Sequence, residues 1–311
     1  MSDRSGALPL LPTGLASGME KLRGHLAMIL FAALISLSFS LGSLAAPHIG
    51  PAALNAMRFF IATMVMGLVV FALYRRIPLP RAQAWRFGVL GSLMAIYFVT
   101  MFMALGMTTP ISTGAVFTLI PLMSAGFGFL FLRQTVRPIV LISLLLAGCG
   151  SIWVIFRGDI AAMLSFDIGA GEIIFIFGCA CHAAYAPLIK KLNRGEPVML
   201  TTYWTTVATC IVISVYGARE IVATDWLSLP VVAWASIGYL AIFTSAITFF
   251  LVQYASMRLP AAKVLSYGYL IPGFIILNEG FLGHGWVSFA VFAGAIVTVL
   301  GLIVVAFAPD V

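Results

Sequence analysis

The sequence predicts an all-α membrane protein of ten transmembrane helices, built as two inverted five-helix repeats with both termini cytoplasmic. Three observations predict it: a composition that water cannot solvate, a one-sided distribution of basic residues, and a self-match at an offset of 151 residues.

Hydrophobic residues fill 62% and charged residues 9% of the 311 positions. A soluble domain carries about 25% charged residues to cover its surface, so the solvent of this chain is largely hydrocarbon. Apolar runs fall at about 25–46, 56–74, 87–107, 111–132, 139–156, 172–190, 197–216, 229–257, 260–282 and 286–308. Each suits a helix crossing of about 20 residues, and their continuous rather than alternating character argues against a barrel. Residues 1–24 mix Pro, Gly and charge without the ordered regions of a signal peptide and read as a cytoplasmic tail. The first repeat is then 25–157 and the second 171–308.

The net charge of +7 reflects where the basic residues stand. With the N-terminus inside, fourteen of them are cytoplasmic, among them Lys21, Arg23, Arg75, Arg76, Arg86, Arg133, Lys190, Lys191, Arg258 and Lys263. Only Arg58, Arg157 and Arg219 fall outside, the asymmetry that the positive-inside rule requires. Topology accounts for the charge without a nucleic-acid partner.

Sliding the chain by 151 residues aligns Leu119-Ile120-Pro121 with Leu270-Ile271-Pro272, Ala104 with Ala255 and Gly150 with Gly301. Five crossings separate the aligned pieces, an odd number, so the halves run in opposite directions. Inverted repeats of this kind characterise secondary transporters. Pro121 and Pro272 lie near mid-span and free the carbonyls of Phe117 and Gly268, four residues earlier. Such paired interruptions mark a transport site or hinge.

His182 is the ionisable residue nearest the middle of a span, and Tyr185 shares its helix face at i+3. Tyr97, Tyr267 and Trp204 offer walls for a central cavity, and Ser36, Ser38 and Thr118 offer hydroxyls. No carboxylate stands at a midplane: Glu172, Glu279 and the ammonium of Lys263 all read as interfacial. Ser143, Ala147 and Ser151 form a small-residue ridge on the fifth run, as Ala290 and Gly294 do on the tenth, suited to close packing within the chain or to a dimer.

Cys149, Cys179, Cys181 and Cys210 all lie in apolar runs, without metal-ligand spacing. Phosphate-loop, zinc-helix and nucleophile-elbow motifs are missing. No catalytic residue, cofactor or metal is implied, and an intramembrane enzyme built on His182 is the remote alternative.

Three segments carry a family resemblance: FTSAITFFLVQYASMRLPAAKVLSYGYLIP (243–272), ALGMTTPISTGAVFTLIPLMSAGFGFLFL (104–132) and AMRFFIATMVM (56–66). They resemble the drug/metabolite transporter superfamily, EamA type, with Arg58 at the family's basic position in the second span. The chain looks most like the bacterial aromatic amino-acid exporter branch. It departs from the family pattern at Arg133 and His284, where glutamate is usual, and at His182, in the region of a usual tryptophan. The resemblance implies a multi-pass carrier of the bacterial inner membrane, monomeric or homodimeric, working by alternating access on a small-molecule substrate. An exporter of amino acids, aromatic ones preferred, is the first expectation; a broad drug or nucleotide-derivative carrier of the same fold is the second.

Overall fold

Proline and glycine decide where the helices of this chain begin and break. The computed structural model describes residues 17–45, 47–80, 83–108, 110–166, 168–281 and 288–308. The first half holds α1 (Gly18–Ala45), α2 (Pro51–Tyr74), α3 (Trp85–Leu105), α4 (Pro110–Phe117), α5 (Ile120–Leu132) and α6 (Pro138–Ile155). A short α7 (Ile160–Leu164) leads to α8 (Ala170–Leu192), α9 (Val198–Tyr216) and the short α10 (Ala218–Ala223). Then come α11 (Val231–Ala241), a π-helical turn at Ile242–Ile247, α12 (Thr248–Ser256) and α13 (Ala261–Ser266). A 3₁₀ turn at Tyr267–Leu270, α14 (Ile271–Phe281) and α15 (Phe289–Phe307) complete the order.

Pro51, Pro121 and Pro138 stand in the first turn of α2, α5 and α6, where a missing N–H costs nothing. Arg75 and Arg133 close α2 and α5 in the left-handed region, at φ of 57° and 54°. The first helix, α1, starts at Gly18, ahead of the apolar run that the sequence places from about residue 25. Glu20 in its first turn pairs with Arg23 and, across the fold, with Arg258.

Among the described residues, seven helices are long and apolar enough to cross a bilayer: Gly18–Ser38, Pro51–Tyr74, Trp85–Ala104, Pro138–Ile155, Ala170–Leu192, Val198–Tyr216 and Val231–Ser256. Ile120–Leu132 and Val291–Phe307 are shorter apolar helices. The structure thus differs from ten uninterrupted spans in a specific way. The fourth run breaks at Thr118–Leu119 between α4 and α5, and the ninth breaks at the 3₁₀ turn between α13 and α14.

The surface is apolar, with Leu68, Phe71, Leu130, Ile142, Phe177 and Val215 all exposed, while hydroxyl groups line the inside. On α9, Thr202, Thr206 and Thr209 are buried and donate to the carbonyls four residues back, at 2.8, 2.9 and 2.9 Å. Satisfying hydroxyls within their own helix is what a hydrocarbon environment demands.

The halves meet through a reciprocal pairing of α6 with α15. A Cβ on Gly150 would lie 2.8 Å from the Gly294 carbonyl and 2.6 Å from Thr298 Oγ1. A Cβ on Gly301 would lie 2.9 Å from the Ser143 carbonyl and 3.0 Å from Ala147. Positions 143, 147 and 150 correspond to 294, 298 and 301 at the 151-residue offset, so the contacts mirror each other. Higher numbers on one helix meet lower numbers on the other, so the two helices are antiparallel. The small-residue ridge of Ser143, Ala147 and Ser151 therefore packs inside the chain; the side chain of Ala290 lies outside the described residues.

The same mirror relation holds elsewhere: α3 packs on α8 as α11 and α12 pack on α1, and α5 packs on α8 as α14 packs on α1.

Candidate functional site

The two helix breaks touch. Phe117, the last residue of α4, lies with Cε1 3.0 Å from where a Cβ on Gly268 would stand. Gly268 occupies the equivalent place in the second half, so this contact sits on the axis relating the halves. Pro121 and Pro272 are each the second residue of the helix after a break rather than a kink within one helix. The expectation that Pro272 leaves the Gly268 carbonyl free is corrected. That carbonyl accepts from the Ile271 N–H, because the chain tightens into a 3₁₀ turn that supplies a new donor.

From this contact a column of rings runs into the core. His182, 6% exposed, has its ring centroid 6.5 Å from Phe117 and 4.4 Å from Tyr97. Tyr97 in turn lies 4.9 Å from Phe98 and 6.1 Å from Phe175. Phe98 meets Phe59 at 5.1 Å and Phe249 at 6.2 Å, and Phe249 lies 6.1 Å from Tyr185. These residues come from α2, α3, α4, α8 and α12, so both halves build the column. His182 Nδ1 is buried without a hydrogen-bond partner among the described residues. A buried polar atom left unsatisfied costs about 1–3 kcal/mol.

The other predicted residues distribute around this column. Tyr185, fully buried, accepts from Gln253 Nε2 at 3.0 Å. Tyr267 lies in the 3₁₀ turn with its hydroxyl 2.7 Å from His25 Nδ1. Thr118 is buried at the first break. Ser36 donates to the Ala33 carbonyl at 2.7 Å and accepts from Asn278 at 2.9 Å, while Ser38 donates to Ile35 at 2.6 Å. Trp204 is not brought to the column. Its indole donates to the Pro78 carbonyl at 3.0 Å and packs edge-on to Tyr203, in a separate apolar cluster with Met66 and Val70. A cavity of about 30 Å³ beside Pro272, lined by Ser151, Tyr269 and Thr298, is too small for a metabolite.

Arg58, Lys263 and Glu172 sit deeper than their sequence positions suggest. Arg58, assigned to an outer loop side, is 2% exposed inside α2. Lys263, read as interfacial, is 2% exposed and donates to the Ala308 carbonyl at 2.6 Å, a cation at the end of α15. Glu172 is 3% exposed, accepts from the Gly169 N–H at 2.9 Å and hydrogen-bonds the Thr108 hydroxyl. Glu279 has its side chain outside the described residues, as does His284. Arg58 was visible in one respect, as a cation two residues into an apolar run; its partners Thr244 and Ser245, 186 and 187 positions away, were not.

At one end of the bundle Arg86 on α3 ties to the loop after α8. It pairs with Glu196 and donates to the Leu192 carbonyl at 2.6 Å. Burial raises the Glu196 carboxyl, and hydrogen bonds from Arg86 and the Arg194 N–H outweigh this and hold it below the usual carboxylate range.

The EamA-like transporter family matches the chain twice, over residues 22–156 and 169–307. An uncharacterized transporter, YyaM of Bacillus subtilis (strain 168), is 23% identical over 290 residues, covering 92% of this chain and 94% of that protein. YetK, an uncharacterized transporter of the same organism, is 21% identical over 277 residues, covering 86% and 84%. A crystal structure of a protein superposes with a TM-score of 0.72 at 20% identity over 92% of this chain and 96% of that one, a likeness of fold. Two family matches that together span most of the chain, each over one of the mirror-related halves, place this multi-pass membrane protein in the EamA-like transporter family.

Proposed function

We propose that this transporter exports amino acids, aromatic ones preferred, and related small metabolites by alternating access across a bacterial inner membrane. In this reading α4 with α5, and α13 with α14, each make one broken crossing, for ten crossings in all with both termini cytoplasmic. The antiparallel pairing of α6 and α15 supports the inversion, and the Phe117–Gly268 contact between the breaks is where the halves would part and close. Spans interrupted at matching places of two halves are the usual setting of a transport site.

The single observation that carries the substrate reading is the ring column around the unpartnered Nδ1 of His182. Tyr97 and Phe117 would flank an aromatic guest by offset or edge-on stacking, worth about 0.5–1.5 kcal/mol per pair beyond burial. His182 would supply a directional hydrogen bond that helps to fix its orientation. Tyr185 lies at the far end of the column against Phe249, Thr118 and Tyr267 lie at the two breaks, and Ser36 and Ser38 on α1. The test is uptake of labelled phenylalanine or tryptophan into proteoliposomes holding the purified chain. Flux above empty liposomes supports the reading, and flux equal to theirs for both overturns it.

The apolar faces that Phe59, Phe98, Phe175 and Phe249 give the column favour a second reading, a broad metabolite carrier. Transport of unrelated neutral aromatics at rates equal to phenylalanine would favour that carrier.

A further inference from the structure

Arg58 is a buried cation whose described partners carry no negative charge. Its Nε donates to Ser245 Oγ at 2.6 Å, and Nη2 donates to the Thr244 carbonyl at 3.0 Å and to Thr244 Oγ1 at 3.2 Å. The guanidinium carbon lies 4.4 Å from the Phe98 ring centroid and 5.3 Å from that of Phe59. Among the described residues Nη1 reaches only Asn55 Oδ1, at 3.5 Å, the outer limit of a hydrogen bond. One edge of the fork thus keeps its donor capacity, while neutral oxygens and ring faces hold the rest.

Packing alone does not call for an arginine here, and the internal symmetry provides the comparison. At the 151-residue offset Arg58 corresponds to Thr209, and Gly91 to Ile242, the first residue of the π-helical turn. In the Thr209 version, α9 lies directly on α3. A Cβ on Gly91 would come 2.7 Å from the Thr209 backbone nitrogen, and Thr209 Oγ1 donates to the Gly91 carbonyl at 3.3 Å. A neutral threonine closes that interface. In the Arg58 version the glycine is replaced, the helix widens by a π turn, and a permanent charge fills the gap. Widened turns of this type recur at functional sites, and an uncompensated buried charge is strongly unfavourable unless something else repays it.

We infer that the Arg58 guanidinium, on its shelf of Phe98 and Phe59, is the subsite for a carboxylate of the transported molecule. The N–H donors of Nη1 are suited to a carboxylate, and Phe98 joins this charge to Tyr97, whose ring in turn meets His182. The inference rests on the proposed transport reading and narrows it. The guest is an acid, held at its carboxylate by Arg58, with its apolar body along the ring column.

The test measures binding to the detergent-purified full chain, by thermal stabilisation, of three acids and their carboxamides. The pairs are phenylalanine and phenylalaninamide, 3-phenylpropionate and its amide, and glutamate and its α-amide. At least one acid should bind tenfold or more tighter than its amide, and Arg58→Gln should bring that ratio close to one. Arg58→Lys, which keeps the charge without the fork, should leave an intermediate ratio and is read alone where Arg58→Gln does not fold. A preference confined to glutamate sinks the aromatic reading and keeps the subsite. Equal binding of every acid and its amide, or a preference that survives substitution of Arg58 unchanged, overturns the subsite.

Discussion

Phe117 and Gly268 occupy equivalent places in the two halves and pack against each other, the ring edge 3.0 Å from where a glycine Cβ would be. A contact between symmetry-equivalent residues lies on the axis between the halves, so any rocking of one half against the other passes through it. Gly268→Val should press on this ring and slow flux about tenfold or more, with folded yield reduced less, since overpacking costs about 1–3 kcal/mol. Adding Phe117→Leu should restore part of the flux. Unchanged flux in Gly268→Val, measured in proteoliposomes, would remove the contact from the mechanism.

Pro121 and Pro272 keep the breaks open by withholding an N–H at the start of α5 and α14. Alanine at either place allows a continuous helix, with a stability change below about 1 kcal/mol in either direction. Pro121→Ala and Pro272→Ala should therefore slow flux severalfold at nearly normal yield. A loss of yield with normal flux per folded molecule would make the prolines purely architectural.

His182 presents an opposite pairing of stability and activity. Phenylalanine there keeps the ring contact with Tyr97 and deletes the unpartnered nitrogen. His182→Phe should raise the unfolding midpoint, by an amount matching about 1–3 kcal/mol, while raising KM for substrate about tenfold. An unaltered KM with the higher midpoint would assign the nitrogen no role in binding.

Glu196 sets an acid limit for one end of the bundle. Its carboxyl is held low in the folded protein, chiefly by Arg86 against the opposing effect of burial. A depressed folded value means that the stabilisation is complete above the unfolded carboxylate value of about 4.3 and is lost as pH falls through the folded value. Melting curves between pH 7 and pH 3 should show the unfolding midpoint falling at the acid end, and Glu196→Gln should flatten that fall while lowering the midpoint at pH 7. Parallel curves for the two proteins would disprove the linkage.

Gly150 allows α6 and α15 to touch at backbone distance, with the Gly294 carbonyl 2.8 Å from where its Cβ would be. Gly150→Val would have to displace the Gly294 carbonyl and the Thr298 backbone nitrogen as well as the Thr298 hydroxyl, and should abolish folded yield, as judged by size-exclusion chromatography in detergent. A monodisperse variant at normal yield would show that the helices separate without penalty.

The sequence by itself determined the membrane class, the helical character and the repeat, because each rests on summed properties. Apolar content decides the solvent, continuous runs decide helix over barrel, and the 151-residue offset places Pro121 opposite Pro272. It also singled out His182 by its place within a span. Only the tertiary structure decided what these residues touch. That Phe117 meets Gly268, that Trp204 turns to Pro78 instead of the ring column, and that the Gly268 carbonyl finds the Ile271 N–H depend on how the helices cross. Arg58 makes the point most sharply. A cation near the start of a span is read as lying at the membrane surface, because burial costs it water. The fold buries it by supplying hydroxyls and a π-helical carbonyl from residues more than 180 positions away, and no local pattern announces partners that distant.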